Sequence, residues 1–581
     1  MVGYPTVRNI VKAASFTATL TLRHLRDEPA RLPLLALRLL PDRVRAGARS
    51  AMGRTGALPR AYALWDAGRR AEAVDTVRGA AHGASPRRLA RLTAFALAVE
   101  RPEVAEELIG RLPEDRRRAG LAHRLALTTG RAVREHAAAP AGSQSHPPTV
   151  APEEGTRHHD AMNDRVSTDT DRPGRTVHRV LHLVTNALPH TNAGYTQRTH
   201  RIALGQRAAG LDPHVVTRVG YPLTKGIPDT RARVEVDGVP YHRLLPWTAP
   251  ADDAAELRAG VRLALPLVRR LAPDVLHAAS NHGNARVALE LGRLLDLPVV
   301  YEVRGFLEES WLSRDPSRSV EDAFYTTERA RETACMHAAD LVVTLGETMR
   351  AEIVGRGVDA AKVVVVPNAV DEAFLEPLPD AAGLRRELGI GADDFVVGTT
   401  TSCYSYEGLD TLVDAVAELR RRGVAAHALI VGDGPELGAL RERAAEAGLE
   451  GAAHFPGRVP AAEVRRYHAA LDVFAVPRRD ERVSRLVTPL KPVEAMAGGL
   501  PVVAGDLEAL REIVEPGTTG ELVPPGRPDA LAECLEKLAA DPDTRRAYGR
   551  AARERVGRDR TWEAAAHRYI AAYGRLRGLG G

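Results

Sequence analysis

The sequence predicts an α/β protein with two doubly wound, Rossmann-like domains facing a cleft, preceded by an all-α N-terminal region. Three observations predict it. A chain of 581 residues is too long for a single core. From residue 179 onward, short β-branched runs alternate with helix-length segments, as in a parallel sheet covered on both faces. Upstream of residue 137 the apolar residues recur instead at helical spacing.

Composition bounds the function. Apolar residues make up 44% and charged residues 27%, ordinary for a soluble globular protein. Cys335, Cys403 and Cys534 match neither zinc nor disulfide spacing, which fits a reducing cytoplasm. The net charge of +5 is uneven: residues 1–60 carry eleven Lys/Arg against three acids, or +8, leaving about −3 for the rest. With aromatics at 4%, this pattern argues against a nucleic-acid partner.

Residues 1–56 read as a basic amphipathic segment. No signal peptide is expected, because residues 11–22 lack a clean apolar core and a cleavage site. The longest apolar stretch, residues 32–40, is interrupted by Arg38 and falls far short of the ~20 residues that cross a bilayer. A basic segment with leucines at mixed helical spacing suits an anionic membrane surface, so residues 1–60 are expected to hold a cytoplasmic protein peripherally at the inner face of the cell membrane. A helix packed on the protein is the alternative.

Residues 57–136 read as short helices. Related stretches begin at residues 61, 93 and 122 and resemble degenerate tetratricopeptide-like hairpins, without the full consensus. Residues 137–178 are rich in Pro, Ser, Thr, Asp and His without apolar periodicity and read as a disordered linker. Strands are then expected at 180–184, 214–217, 274–277, 299–303, 341–344 and 363–366 in a domain spanning 179–385. A second domain, 386–560, has strands expected at 395–399, 428–431, 473–476 and 502–504. Residues 561–581 read as a final amphipathic helix.

Five ordered stretches carry the chemistry: VVVVPNAVD (363–371), YEGLDTLVDAVAEL (406–419), LIVGDGPE (429–436), HFPGRVPAAEVRRYHAALDVFAVP (454–477) and TPLKPVEAMAGGLPVVAGD (488–506). Together they resemble the retaining family 4 glycosyltransferases, which have the GT-B fold, over about residues 179–577, and a subset of them with a TPLKP-type donor helix start. The resemblance implies a nucleotide-sugar donor domain in the second half and an acceptor domain in the first. It also implies a final helix that crosses back onto the acceptor domain.

Residues 490–499 read as a helix with Pro492 near its first turn. Its free N–H groups, from Leu490 onward, and its partial positive charge suit a diphosphate, and Lys491 adds a full charge. Glu494 lies within reach of ribose hydroxyls, and by resemblance it is the ribose-binding second glutamate of the family's pair. The bland alternative is a dipole-favourable surface acid. The sequence departs from the family where Leu486 replaces the first glutamate, and where Ser402 and Glu407 stand in the loop that should hold a diphosphate-clamping arginine and lysine. An acid there would repel a diphosphate. The clamp is therefore moved or lost; the resemblance to the TPLKP subset implies relocation, among Arg478, Arg479, Arg482, Arg485 and Lys491, with Lys491 and Arg485 favoured. Thr401 and Ser402 would add hydroxyls and N–H groups.

In the first domain, Gly194 opens a helix after the first strand and permits close backbone approach. Arg304 stands where family members often have a histidine; with Glu302 it is a candidate catalytic group, the alternative being an Arg–Glu pair that holds the loop. His282 is a further candidate. No metal and no cofactor are expected beyond the nucleotide-sugar substrate, and the acceptor is expected to be a sugar or a lipid-linked sugar. A retaining transferase in cell-envelope assembly is thus the expectation. The alternatives are a catalytically weak scaffold docking partners through its helical repeats, and a nucleotide-sugar epimerase.

Overall fold

The structure is a computed structural model that describes residues 7–27, 30, 32–99, 101–129, 177–315 and 318–576. The expected linker falls outside the described residues except for Val177 and His178, as do residues 130–136 of the helical region.

Helices Leu32–Leu39, Asp42–Arg54, Ala57–Asp66, Arg70–Ala81, Pro86–Ala98, Pro102–Gly110 and Arg116–Thr129 form the N-terminal helical region. Pro86 and Pro102 each stand in a first turn, where proline's missing N–H costs nothing. Leu92, Phe95 and Leu108 are buried at its centre, with the Tyr62 ring edge-on to Phe95 at 4.8 Å. Asp66 is buried at the end of its helix and paired by Arg45, which joins neighbouring helices. The preceding helix, Val7–Asp27, packs instead on the first α/β domain, through Phe16, Leu223 and Leu245.

That domain holds an eight-stranded sheet: β1 (Arg179–Val184), β2 (Asp212–Thr217), β3 (Arg233–Val236), β4 (Val239–Arg243), β5 (Val275–Ala279), β6 (Val299–Val303), β7 (Leu341–Thr344) and β8 (Val363–Val365), in the order β3-β4-β2-β1-β5-β6-β7-β8. Only β3 pairs antiparallel. The second domain holds β9 (Phe395–Thr400), β10 (Ala426–Val431), β11 (Ala453–Gly457), β12 (Val473–Val476), β13 (Val502–Gly505) and β14 (Gly520–Val523), all parallel, in the order β11-β10-β9-β12-β13-β14. The chain reverses its winding direction between β1 and β5 and again between β9 and β12, and ligands bind beyond the strand ends at such switch points.

The sequence reading misses β3, β4, β11 and β14. β3 and β11 are short, half-exposed edge strands that lack a continuous apolar run. The β3–β4 hairpin turns at Asp237–Gly238, both at positive φ, a turn signal that passed unread. The final helix, Trp562–Arg575, starts after Thr561, whose hydroxyl accepts from the Ala564 N–H. It crosses back onto the first domain, burying Tyr569 and Tyr573. Gly205 of the Gly194–Ala208 helix permits that approach, because a Cβ there would sit 2.9 Å from the Trp562 carbonyl oxygen.

Candidate active site

On the second domain, the helix expected at 490–499 spans Lys491–Ala497, with Leu490 before it and no side chain capping its first turn. Lys491 Nζ donates to Glu494 Oε2 at 2.9 Å. Glu494 is 9% exposed; burial pushes its carboxyl up, Asp371 pushes the same way, and Lys491 opposes both. The segment entering this helix touches the interdomain connection, where Asn368 Nδ2 donates to the Thr488 carbonyl at 3.1 Å.

The loop after β9 lies on the loop after β10. The Thr401 N–H donates to the Val431 carbonyl and the Cys403 N–H to the Asp433 carbonyl. Gly432 and Gly434 are needed for this, since a Cβ at either would collide with the Thr401 or Cys403 backbone. Ser402 is exposed at the turn.

The acid expected to repel a diphosphate is neutralised internally. Glu407 accepts from Arg478 Nε and Nη2 at 3.1 and 3.0 Å, and both residues are buried. The other candidate clamp arginines are paired as well. Arg479 meets Asp410 at 2.6 Å, and Arg485 turns back to Asp480 at 2.7 Å and is half exposed. Arg482 crosses between domains to the buried Glu309 at 2.9 Å. Lys491 remains as the cation on the helix start itself.

On the first domain, Gly194 is exposed at the start of its helix, and a Cβ there would meet nothing within 4 Å. Arg304 Nη1 donates to the Tyr195 carbonyl at 3.0 Å and to Thr199 Oγ1 at 2.7 Å, tying the end of β6 to that helix. Its Nη2 donates to Glu302 at 2.7 Å, so the structure forms the Arg–Glu pair, while its Nε is buried without a partner. Glu302 is fully buried and also accepts from Arg198 Nε at 2.9 Å, the Tyr569 hydroxyl at 2.7 Å and His277 Nε2 at 3.2 Å. Burial raises its pKa, but Arg304, Arg198 and His277 outweigh it and hold the carboxyl well below the usual range.

Arg198 extends this network across the molecule. It is 4% exposed and donates to the Val366 and Pro367 carbonyls and to Asn368 Oδ1. One hydrogen-bond path thus runs from β6 through Glu302, Arg198 and Asn368 to Thr488, two residues before Leu490. Sequence reasoning missed Arg198, Asn368 and Tyr569. The local sequence around Arg198, GYTQRTHR, is polar and gives no sign that this arginine is buried.

His282 begins the helix His282–Leu295. Its Nε2 meets Glu328 at 3.1 Å, its N–H donates to Glu332 at 2.7 Å, and its Nδ1 is buried without a partner. It lines a cavity of about 420 Å³ at the C-terminal ends of β1, β2 and β5, together with Arg218, Glu256, Asn284, Arg286 and Glu328. Arg304 and Glu302 meet each other on the same sheet end, whereas Lys491 and Glu494 meet on the other domain. The Glu302–Asn368 path runs from the first group to Thr488, three residues before Lys491.

Residues 193–369 match the family profile "Glycosyl transferase 4-like domain", and residues 381–555 match "Glycosyl transferases group 1". The chain is 34% identical over 227 residues to a GDP-mannose-dependent alpha-(1-6)-phosphatidylinositol monomannoside mannosyltransferase of Mycobacterium tuberculosis, covering 39% of this chain and 59% of that protein. It is also 34% identical over 263 residues to a D-inositol 3-phosphate glycosyltransferase of Kineococcus radiotolerans, covering 42% and 59%. The chain thus spans about three fifths of the length of these curated relatives. A glycogen synthase of Mycobacterium tuberculosis is 27% identical over 68% of this chain and 95% of its own. Among solved structures, sucrose-phosphate synthase from Thermosynechococcus elongatus aligns at a TM-score of 0.57 and 22% identity, covering 69% of this chain and all of its own. Anabaena HepE in complex with UDP aligns at 0.54 and 20%, covering 68% and 100%. Each of the two α/β domains thus matches a glycosyltransferase profile, and together they have the GT-B fold.

Proposed function

We propose that the chain transfers a sugar from a nucleotide-diphosphate sugar to a sugar or lipid-linked acceptor, with retention and without a metal, in cell-envelope polysaccharide or glycolipid synthesis. The observation that carries this is the pairing of Lys491 with Glu494 on the first turn of an uncapped helix that hydrogen-bonds, through Thr488 and Asn368, to the other domain. The first-turn amides and Lys491 oppose the diphosphate charge as it leaves, which is where electrostatic stabilisation lowers the barrier. Glu494 accepts from ribose hydroxyls, and Thr401 and Ser402 border the phosphates. Glu302 and Arg304 act as positioning residues, because both oxygens of Glu302 and both terminal nitrogens of Arg304 are engaged by protein groups, among them the Gly194–Ala208 helix. The acceptor occupies the cavity beside His282. The names of the mannosyl- and glycosyltransferase relatives support sugar transfer, and their partial coverage leaves donor and acceptor to experiment. The protein works in the cytoplasm, peripherally at the inner membrane face, and its helical repeats are of the tetratricopeptide kind.

One observation favours the scaffold reading: Arg478, Arg479, Arg482 and Arg485 are each engaged by a carboxylate. A thermal-shift panel of nucleoside diphosphates and sugar nucleotides on the full chain separates the two. A rise in Tm with one nucleotide class supports transfer; no shift with any supports the scaffold.

A further inference from the structure

The helix Val7–Asp27 lies outside both matched profiles, and its docking is specific. Phe16 is 1% exposed and seats against Gly220, where a Cβ would stand 2.4 Å from the ring. Thr19 Oγ1 accepts from the Ala249 N–H at 2.9 Å, and Arg23 Nη1 donates to the Pro250 carbonyl at 2.8 Å. At 3.6 residues per turn, Ile10, Val11, Ala14, Ala18, Thr21 and Leu22 fall on the side away from Phe16, and all are exposed. That face carries no charge. Ile10, Val11 and Leu22 are 56, 53 and 63% exposed. Arg8 is exposed at the border of that face, and Lys12, nearer the docked side, holds its Nζ 5.7 Å from the ring centroid of Trp247, itself 44% exposed.

A docked helix that turns apolar side chains to solvent, flanked by cations and a tryptophan, has the chemistry of an interfacial helix. We infer that the outward face of the helix Val7–Asp27, with Trp247, docks this protein on an anionic lipid bilayer beside the acceptor cavity. The occupant follows from charge complementarity, since the helix Val7–Asp27 carries Arg8, Lys12, Arg23 and Arg26 against Asp27 alone. The location follows from the loops after β2 and β4. Val219 and Leu244 line the cavity, while the next residues, Gly220 and Leu245, contact Phe16 or pack with it. The bilayer-facing helix and the cavity therefore share one wall, and a lipid-linked acceptor would reach the cavity from the membrane. This last step rests on the transferase reading; the docking does not.

The test is vesicle flotation of the full chain with phosphatidylglycerol–phosphatidylcholine vesicles and with phosphatidylcholine alone. Wild type is expected to float with the anionic vesicles and much less with the neutral ones. Ile10→Glu with Leu22→Glu alters only exposed positions; it is expected to cut the bound fraction about tenfold with an unchanged melting temperature. Equal flotation of the double variant, or no flotation of wild type, overturns the proposal. So does a wild-type dimer that the double variant converts to monomer without any lipid binding, which would identify a second copy as the occupant. A nucleotide-induced thermal shift is read separately. Its absence with retained flotation sinks the transferase reading alone, and its presence without flotation sinks the docking alone.

Discussion

Glu407 and Arg478 illustrate how a charge that looks misplaced in a sequence is resolved by a partner 71 residues away. A buried carboxylate alone would be costly, and a bidentate guanidinium offsets that cost and aligns the loops after β9 and β12. His468 shows the complementary case. It is fully buried, with Thr400 Oγ1 at 3.1 Å as its one partner and Nδ1 unsatisfied. Burial, with Lys491 and Arg465 adding to it, depresses its pKa to about 3. The unfolded chain binds this proton near pH 6.5 and the folded chain does not, so His468 favours folding above pH 6.5 and opposes it increasingly as pH falls toward the folded value. The raised carboxyls of Glu308, Glu332 and Glu494 act in the opposite sense, so a difference between variants isolates the effect. His468→Gln is expected to flatten the fall in unfolding free energy between pH 6 and 4.5 by about 1.4 kcal/mol per pH unit, read by urea titration at each pH. An unchanged slope contradicts a neutral buried His468.

At the scale of elements, the second domain completes a helix of the first. Glu512 of the second domain accepts from the Glu347 and Thr348 N–H groups at 2.8 and 2.7 Å, capping the helix Glu347–Gly355 of the first. Gly346 leaves room for it, because a Cβ there would lie 2.5 Å from the carboxylate. Glu512→Ala should therefore cost about 0.5–2 kcal/mol, measured as a lower Tm, with added mobility between the domains read by hydrogen exchange at residues 347–349. No loss of stability would mean the cap is idle. The helices and central strands of both domains were legible because their apolar runs are continuous, as at β6 and β12. The edge strands β3 and β11 were not, because much of each faces water, and the buried β4 was not, because Pro240, His242 and Arg243 break its apolar run. In the site, Lys491 and Glu494 were legible from a local pattern of proline, lysine and glutamate. Arg198, Asn368 and Tyr569 were not, because their meaning lies in contacts more than 100 residues apart in sequence.

For the whole molecule, a buried ionic centre in one domain reaches Thr488, ahead of the helix Lys491–Ala497 of the other, through Asn368. On the proposed function, such a path would make nucleotide binding on the second domain responsive to the position of the first, a usual requirement when closure assembles a site. The first turn of the helix Lys491–Ala497 is the proposed seat of a pyrophosphate. Calorimetry of the preferred nucleoside diphosphate on the full chain and on its Lys491→Ala and Glu494→Ala variants tests it most directly. Each substitution is predicted to weaken binding by about 1–3 kcal/mol, with Lys491→Ala at least as damaging as Glu494→Ala. Affinities in both variants equal to wild type would contradict the account.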